Sequence, residues 1–260
     1  MTDPESTIMS YCWPGSDVEK AMCDKILPVV ATFDSIQGEG IYIGQPSHFI
    51  RLAGCNMVPL CTWCDTKYAM GGNPTKRYIG DLVHEAKNSG LQHVVVTGGE
   101  PLIHPGAIDL CDILCRQRLF VTLETNATIY DERLRWSLGL LSLSPKFGSS
   151  GHEPNLPVIS EYCKWTNHFA AIQIKLVISG SLDLARAETL LSILVERRAD
   201  FHAIHVVLQP NGDGLDAGGL LGSLKNLTEQ VLRTPTLSGL THIQVLPQLH
   251  RLLWGTERGI

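Results

Sequence analysis

The sequence lacks the features that mark proteins acting on nucleic acids or in membranes. It has no block of Lys and Arg, and its 21 basic and 26 acidic residues give a formal net charge of −5, which argues against nucleic acid as a direct partner. No apolar run approaches the roughly 20 residues of a membrane-spanning helix. No basic start followed by an apolar stretch opens the chain, so no signal peptide is expected. These absences predict a cytoplasmic protein.

Several common catalytic motifs are also missing. The sequence has no G-x-G-x-x-G dinucleotide fingerprint, no G-x-x-x-x-G-K-[ST] phosphate loop and no H-E-x-x-H zinc motif. One Cys-x-x-Cys pair is present without a second such pair or a H-x3–5-H pair, which leaves an ordinary four-ligand zinc site incomplete. The eight cysteines are irregularly scattered over a mid-sized chain, which fits reduced thiols better than a disulfide framework.

The length and composition suit an enzyme-sized globular protein. The 260 residues, of which 44% are hydrophobic, are enough for one large α/β domain, or two small ones, with a substantial core. Residues 1–26 are polar and weakly patterned, and contain Pro4, Pro14 and Gly15, so we expect an N-terminal extension that is partly disordered. The core domain is expected over residues 27–260.

Short apolar runs alternate with helical spacing along this core. Strands are expected over residues 29–33, 48–52, 93–97, 120–125, 140–144, 172–178, 205–210 and 243–246. Helices are expected over residues 77–89, 106–117, 157–169, 184–195 and 216–232. This alternation predicts parallel strands joined by right-handed crossovers. The expected fold is therefore α/β, as a complete or partial TIM-like β/α barrel.

Polar residues or glycines follow most of the expected strands. They occupy residues 55–66, 97–100, 124–126, 144–146 and 209–212. In α/β barrels the carboxyl ends of the strands build the active site. The sequence therefore predicts a site along one rim of the sheet.

A loop with three cysteines is the most informative stretch of the chain. Cys55, Cys61 and Cys64 fall within ten residues, and an ordinary [4Fe–4S] site uses four cysteines. Three clustered cysteines without an obvious fourth suggest a cluster with one iron left open for another ligand. Two alternatives are a zinc site and unrelated buried thiols, since Cys packs well in cores.

Single residues elsewhere are weaker signals. Gly98 and Gly99 after a buried strand would let a backbone approach a ligand closely, but a plain turn explains them as well. Arg51 could bind a carboxylate in bidentate fashion. Glu124 could be a buried acid or a solvated strand end, and His250 taken alone favours a structural role.

The three-cysteine loop, followed at a distance by a strand that ends in Gly98-Gly99-Glu100-Pro101, resembles the radical S-adenosylmethionine (SAM) enzymes. In that superfamily three cysteines hold a [4Fe–4S] cluster, SAM chelates the open iron, and the Gly-Gly-Glu stretch contacts the SAM amino group. The resemblance implies the partial barrel of the radical SAM type and cleavage of SAM to methionine and a 5′-deoxyadenosyl radical.

Further stretches narrow the resemblance. Residues 33–40, 49–56, 63–66, 96–101, 123–126, 144–146 and 246–250 together are similar to the 7-carboxy-7-deazaguanine synthase (QueE) family. This implies a lyase that converts 6-carboxy-5,6,7,8-tetrahydropterin to 7-carboxy-7-deazaguanine with loss of ammonia, on the route to queuosine and other 7-deazapurines. It also implies Mg²⁺, a homodimer and an external one-electron donor such as a flavodoxin.

The resemblance carries roles to individual positions. Cys55, Cys61 and Cys64 would ligate the cluster, and Thr66 would supply a hydroxyl oxygen to Mg²⁺, a hard cation that prefers such ligands. The residues that would line the SAM site are Trp63, Cys64, Asp65, Gly99, Ser144, Pro145, Lys146, Gln209, Pro210, Asn211 and Gly212. The residues that would hold the pterin are Ile36, Gln37, Gly38, Arg51, Thr97, Glu124 and His250. No side chain is expected to act as a nucleophile or protein radical, because the radical derives from SAM.

One departure from the superfamily concerns the spacing of the cysteines. The usual pattern is C-x3-C-x2-C, whereas this chain has C-x5-C-x2-C with residues 56–60 between the first two ligands. Loop insertions are thermodynamically tolerated, so the cluster is still expected. Two alternatives remain open at this point: a glycyl-radical-enzyme activase of the same superfamily, and a zinc-stabilised binding domain without catalysis.

Overall fold

The computed structural model describes residues 16–71, 73–165, 170–197 and 203–257. Its centre is a nine-stranded sheet with the strand order β3-β1-β2-β4-β5-β6-β7-β8-β9. The strands are β1 (Ile26–Ile36), β2 (Pro46–Leu52), β3 (Thr75–Tyr78), β4 (His93–Gly98), β5 (Phe120–Thr125), β6 (Leu140–Leu143), β7 (Ala171–Ile178), β8 (Ile204–Pro210) and β9 (Ile243–Val245). The edge strands β3 and β9 do not pair with each other, so the described sheet forms an open, partial barrel and the predicted fold class is confirmed.

Helices connect the strands and cover the sheet. They are α1 (Asp17–Cys23), α2 (Ile79–Asn88), α3 (Gly106–Arg116), α4 (Leu156–Tyr162), α5 (Ser181–Glu196), α6 (Ala217–Leu232), α7 (Pro235–Ser238) and α8 (Leu249–Trp254). Short 3₁₀ turns follow the strand ends or close helices at Lys67–Ala69, Pro101–Ile103, Glu132–Trp136, Gly148–Ser150 and Cys163–Trp165. Among the described residues, no helix combines the length and apolar character needed to cross a membrane.

The sheet is parallel except at one edge. β2 and β4–β9 pair in parallel, whereas β1 is antiparallel to both β2 and β3. The expectation of parallel strands throughout is therefore wrong at this edge. The connection between β1 and β2 spans only residues 37–45, and a parallel crossover needs a dozen residues or more. β3 was not predicted because its four residues include Lys76 and Arg77, which suit a short, charged edge strand.

The core lies between the sheet and the surrounding helices. Val94 and Val96 of β4 are fully buried, as are Leu110 and Leu114 of α3. Fully burying a side chain of this size stabilises the fold by about 1.5–3 kcal/mol. The continuous apolar run of β4 is thus the buried strand that the sequence predicted.

The opposite, inner face of the sheet carries polar side chains in register. Arg51 of β2 pairs with Thr97 of β4, and Glu124 of β5 pairs with Ser142 of β6, which pairs in turn with Gln173 of β7. Residues directly opposite each other in adjacent strands point to the same face. The fold therefore lines the inside of the partial barrel with hydrogen-bonding groups.

The segment before the barrel is ordered from Ser16 onward. The Ser16 side chain caps α1, Glu19 forms an ion pair with Arg116 of α3 at 3.3 Å, and Cys23 is buried. Cys23 is disulfide-bonded, so the expectation of reduced thiols is wrong at this position. The rest of the predicted extension, residues 1–15, lies outside the described residues.

One helix is shorter than predicted. The sequence indicates a helix over residues 157–169, but α4 ends at Tyr162 and continues only as the 3₁₀ turn Cys163–Trp165. Residues 166–169 lie outside the described part of the chain.

Candidate active site

A cavity of about 480 Å³ opens at the carboxyl ends of the parallel strands. Most of the residues predicted to bind cluster, SAM or substrate line it. They are Ile36, Gln37, Gly38, Arg51, Cys55, Cys61, Trp63, Cys64, Asp65, Thr66, Thr97, Gly99, Glu124, Ser144, Lys146, Asn211 and His250. Residues from both ends of the chain thus meet in one place.

Four predicted SAM-site residues lie behind the cavity wall. Pro145, Gln209, Pro210 and Gly212 are buried and do not line the cavity. Gln209 donates its side-chain amide to Glu39 over 2.8 Å. These positions shape the wall through the backbone and through neighbouring side chains.

The cysteine loop presents three free thiols to the cavity. Cys55, Cys61 and Cys64 are unoxidised, and Cys61 is buried. Burial raises the pKa of the Cys61 thiol, Lys146 opposes this rise, and the charges of Cys64 and Cys55 add to it. Burial likewise raises the pKa of Cys64. All three cysteines line the same cavity.

These thiols fit the predicted iron–sulfur cluster. Thiolates are soft ligands that select such clusters, and among the described residues no fourth cysteine lines the cavity. The remaining free cysteines are Cys111 and Cys115 on α3 and Cys163 after α4. A three-cysteine set leaves one iron accessible from the cavity.

Backbone contacts fix the cysteine loop from two sides. The Gly54 amide donates to the Ala69 carbonyl over 3.0 Å, and the Thr62 amide donates to the Ser150 carbonyl over 3.2 Å. The enlarged part of the loop contains a cis Val58–Pro59 peptide and an exposed Val58. The middle of the loop, residues 58–60, is therefore exposed, while both ends of the loop stay anchored.

The Gly-Gly-Glu turn after β4 packs directly on the cysteine loop. A Cβ atom at Gly98 would lie 2.3 Å from the Leu52 carbonyl oxygen, and one at Gly99 would lie 2.1 Å from the Gly54 carbonyl oxygen. Only glycine allows such close backbone approach. The sequence predicted close approach to a ligand, and the structure adds approach to the backbone that carries the first cysteine.

Glu100 locks this turn to the end of β5. Its fully buried carboxylate accepts hydrogen bonds from the Leu102 amide at 3.0 Å, the Thr125 hydroxyl at 2.8 Å and the Asn126 amide at 2.6 Å. Burial raises the pKa of Glu100, and the bonds from Asn126 and Leu102 counteract the rise. The Asn126 side chain extends the link to the cysteine loop through Asn56 Oδ1 at 2.8 Å.

A tryptophan and a lysine form the wall beside the cysteines. Lys146 Nζ lies 5.4 Å from the centre of the Trp63 ring and donates to Ser144 Oγ over 2.9 Å. Trp63 Nε1 donates to Ser149 Oγ over 2.9 Å, and Ser149 Oγ donates to the buried Asp183 over 2.6 Å. Burial lowers the pKa of Lys146, and Lys175 lowers it further. This wall offers an aromatic face and a cation to a ligand.

Arg51 points into the cavity without an acidic partner. Its Nη1 donates to Thr66 Oγ1 over 3.3 Å, and its guanidinium carbon lies 5.8 Å from the Phe33 ring and 5.7 Å from the Tyr68 ring. Its Nε is buried without a hydrogen-bond partner, and Arg51 forms no ion pair with a carboxylate of the described chain. A partly buried guanidinium with no carboxylate partner among the described residues favours an anionic ligand.

Glu124 lies across the cavity between two predicted substrate residues. Thr97 Oγ1 donates to one of its oxygens over 2.9 Å, and Gln37 Nε2 donates to the other over 3.1 Å. Each carboxylate oxygen can accept a further hydrogen bond. Glu124 can therefore receive N–H groups of a ligand.

Thr66 and Asp65 provide adjacent oxygen atoms. The Thr66 hydroxyl donates to Asp65 Oδ1 over 2.7 Å. Hydroxyl and carboxylate oxygens suit Mg²⁺, but the Arg51 guanidinium stands beside Thr66. Thr66 and Asp65 could therefore hold Mg²⁺ when the carboxylate of a bound ligand offsets the positive charge of Arg51.

Glu39 is the principal functional candidate that the sequence analysis did not select. It forms an ion pair with Lys175 and accepts hydrogen bonds from Gln209 at 2.8 Å and Gln248 at 2.7 Å. Burial alone would raise the pKa of Glu39, but Lys175 and His250 hold it well below its usual value. Burial alone would lower the pKa of Lys175, but Glu39 and then Glu124 raise it. The pair is therefore fully ionised.

Two signals in the sequence could have identified this pair. Glu39 lies inside the Gln37–Gly40 stretch that contributed to the resemblance. Gln173 and Lys175 stand two residues apart in the otherwise apolar β7, which is the spacing of side chains on one strand face. Strand periodicity thus places Lys175 on the inner wall.

The carboxyl-terminal segment closes one side of the cavity. The Leu249 amide donates to the Gly38 carbonyl over 2.8 Å, and a Cβ at Gly38 would lie 2.2 Å from His250 Nδ1. Trp254 and Glu257 also line the cavity.

The ligand atoms of Glu39, Asp65 and His250 lie within 4.8 Å of one another. This arrangement is a poor cation site because Lys175 already neutralises Glu39. A divalent cation there would also face the Lys175 ammonium group at close range. Thr66 and Asp65 remain the better Mg²⁺ ligands.

Comparison with known proteins places this geometry in context. The model of the radical SAM superfamily matches residues 49–137. The 7-carboxy-7-deazaguanine synthase of Bacillus subtilis is 31% identical over 256 residues, which cover 91% of this chain and 99% of that protein. The same enzyme of Aquifex aeolicus is 30% identical over 234 residues, which cover 88% and 94%. The crystal structure of QueE from Escherichia coli has the same fold, with a TM-score of 0.66, 24% identity, and coverage of 89% of this chain and 99% of that one.

Proposed function

The chain belongs to the 7-carboxy-7-deazaguanine synthase family, and we propose on that premise how its residues carry out the reaction. It is a radical SAM lyase that converts 6-carboxy-5,6,7,8-tetrahydropterin to 7-carboxy-7-deazaguanine and ammonia, using a [4Fe–4S] cluster and SAM. The family predicted from the motifs is confirmed. Neither the glycyl-radical-enzyme activase nor the zinc-stabilised domain is favoured by these relatives.

The cluster is held by Cys55, Cys61 and Cys64. Support comes from their free thiols, their position on the cavity wall and the lack of a fourth cysteine there among the described residues. When bound, the reduced cluster supplies the electron that cleaves SAM into methionine and the 5′-deoxyadenosyl radical. The chain's own residues bind and orient the two ligands around it.

SAM binds between the Gly-Gly-Glu turn and the Trp63 wall. The turn exposes the backbone of Gly99 next to the cysteine loop. Lys146 offers a cation to the SAM carboxylate, and the Trp63 ring offers an apolar face beside it. Ser144 and Asn211 complete the SAM-side lining, while Pro145, Gln209, Pro210 and Gly212 support it from behind.

The pterin binds on the other side of the cavity, with its carboxylate on Arg51. The single observation that carries this assignment is the partly buried guanidinium of Arg51, whose Nε has no hydrogen-bond partner and which forms no ion pair with a described residue. Glu124 accepts hydrogen bonds from N–H groups of the pterin, with Thr97 and Gln37 holding its orientation. Ile36, Gly38 and His250 form the surrounding wall.

Mg²⁺ binds at Thr66 with the pterin carboxylate and water. The Arg51 guanidinium beside Thr66 would repel the metal, and the negative charge of the pterin carboxylate would offset that repulsion. Asp65 accepts the Thr66 hydroxyl hydrogen bond and so directs the Thr66 oxygen. A metal held there would help to orient the substrate.

Anaerobic reconstitution tests the function. The protein is loaded with iron and sulfide and given SAM, Mg²⁺, a reductant and 6-carboxytetrahydropterin. We expect 7-carboxy-7-deazaguanine and ammonia in equal amounts. Cys61→Ala should lose the cluster absorbance and the activity, whereas Cys115→Ala, a free thiol away from the cavity, should keep both. An iron-loaded wild-type protein that leaves the pterin unchanged would contradict the assignment.

The assembly and its partners follow the same premise. The core domain spans residues 27–260 and acts as a homodimer in the cytoplasm. A flavodoxin-type protein delivers the electron.

Support for the dimer comes from exposed apolar side chains on α6 and α8, namely Leu221, Leu232 and Leu253. Sedimentation analysis of the wild type and of Leu232→Glu tests it, since the variant should shift toward the monomer.

A further inference from the structure

The Glu39–Lys175 ion pair occupies the inner wall beside the proposed pterin site. Glu39, Lys175 and Glu124 all line the cavity. Glu124 pairs with Ser142 and Ser142 with Gln173, so Lys175 lies two residues further along the same face of β7. Three carboxylates act electrostatically on the Lys175 ammonium, namely Glu39, then Glu124 and then Asp65.

Residues of β8 and of the segment before α8 hold the Glu39 carboxylate. Gln209 of β8 and Gln248 before α8 both donate to its Oε1, and Lys175 donates to its Oε2. Gln248 is fixed in turn by the Gly212 amide, which donates to its side-chain oxygen over 2.9 Å. Two neutral amide groups thus fix one oxygen of the Glu39 carboxylate, independently of the ammonium group that bonds to the other oxygen.

We propose that Glu39 is a positioning residue that captures the Lys175 ammonium and thereby keeps Glu124 free to bind the substrate. Glu124 has hydrogen bonds from Thr97 and Gln37, both neutral groups, and no ion pair with a described residue. A lysine released from Glu39 would turn to Glu124, because a buried ammonium needs an acidic partner. That pairing would compete directly with N–H groups of the pterin. The inference rests on the proposed function, since it takes Glu124 as a substrate-binding residue.

The test is a double-mutant cycle on the KM for 6-carboxytetrahydropterin. Glu39→Gln keeps an oxygen for Gln209 and Gln248 but removes the charge that holds Lys175. We expect its KM to rise at least about tenfold. Lys175→Met removes the competing ammonium, so the double variant Glu39→Gln/Lys175→Met should return to within about threefold of the wild type. The affinity for SAM and the iron content should stay within about twofold in both variants.

A matched control is the ion pair between Lys25 and Asp109, 2.7 Å long and remote from the cavity. Asp109→Asn should leave the KM unchanged. If Glu39→Gln keeps the wild-type KM, or if the double variant is as impaired as the single one, the proposal is wrong. If Glu39→Gln does not fold, the test rests on the KM of the double variant alone. That variant should fold because both charges of the pair have been removed. A tenfold higher KM in that variant would then overturn the proposal.

The wild-type assay separates this inference from the function on which it rests. A wild-type enzyme that does not convert the pterin refutes the function. An active wild type with an unaffected Glu39→Gln variant refutes only the role of Glu39.

Discussion

The contact between Gly99 and the cysteine loop provides a quantitative prediction about the substitution Gly99→Ala. The added Cβ would lie 2.1 Å from the Gly54 carbonyl oxygen and 2.3 Å from Met70 Cε. The methionine end can move, but the Gly54 carbonyl is fixed because it accepts the Glu100 amide over 2.8 Å. The turn and the loop must therefore separate by about 1 Å, a strain typical of overpacked cores.

The expected loss of stability is about 2–4 kcal/mol. Overpacking contributes about 1–3 kcal/mol, and weakening the bond between Glu100 and Gly54 contributes about 1 kcal/mol. A displacement of this size next to the cluster should also lower the turnover number by about 100-fold.

Urea unfolding of the metal-free protein under reducing, anaerobic conditions measures the first effect. Gly99→Ala should lower the midpoint without changing the slope. The control is Gly222→Ala in the middle of α6, where the added Cβ meets no atom within 4 Å. It should stabilise the helix by about 0.5–1 kcal/mol. The same substitution should therefore lower the stability at position 99 and raise it at position 222.

A stability of Gly99→Ala within about 0.5 kcal/mol of the wild type would refute this reasoning. It would mean that the turn and the cysteine loop can separate freely. The glycine would then be required for a ligand alone, and the loss would appear only in SAM binding.

Three further predictions concern the binding walls and the base of the sheet. Arg51→Lys loses the bidentate geometry and should raise the KM for 6-carboxytetrahydropterin about 10- to 100-fold in initial-rate assays at saturating SAM. Trp63→Phe loses the hydrogen bond to Ser149 and part of the cation–π contact, and should weaken SAM binding about 5- to 10-fold by equilibrium titration. Burial lowers the pKa of His93 from 6.5 to about 4, so its neutral form stabilises the protein fully above pH 6.5. That contribution, about 3 kcal/mol at most, is lost as the pH falls toward 4, and His93→Gln should show a smaller difference between urea unfolding at pH 7 and at pH 5.

The sequence predicted most strands and the composition of the site because these depend on local patterns. The run Val94–Val96 is apolar throughout because helices cover that strand, and it was recognised as a buried strand. The Gly-Gly-Glu turn and the three cysteines were recognised because their chemistry allows few substitutes. The identities of these residues are restricted by their immediate contacts, which is why the sequence alone indicates them.

The parts that were missed depend on distant contacts. Nothing local in Glu39 shows that Lys175, Gln209 and Gln248 converge on it, since these residues come from three separate segments. The antiparallel edge was not predicted, although the nine-residue connection before β2 is too short for a parallel crossover. The helix α1 was not predicted because its seven residues are too few for a periodic signal.

The separation in sequence between the two halves of the pterin site has a consequence for biosynthesis. The bond from Gln248 to Glu39 joins residues 209 positions apart, whereas the contacts of the cysteine loop with Ser149 and Ser150 span fewer than 90. A ribosome releases the chain from the N-terminus onward, and domains form in that order. The nascent chain can therefore assemble the iron-binding half while the segment that closes the pterin site is still being translated. Maturation of the metal centre can therefore precede completion of the substrate site. A truncated product that lacks the last dozen residues would retain the metal centre but lose the substrate site.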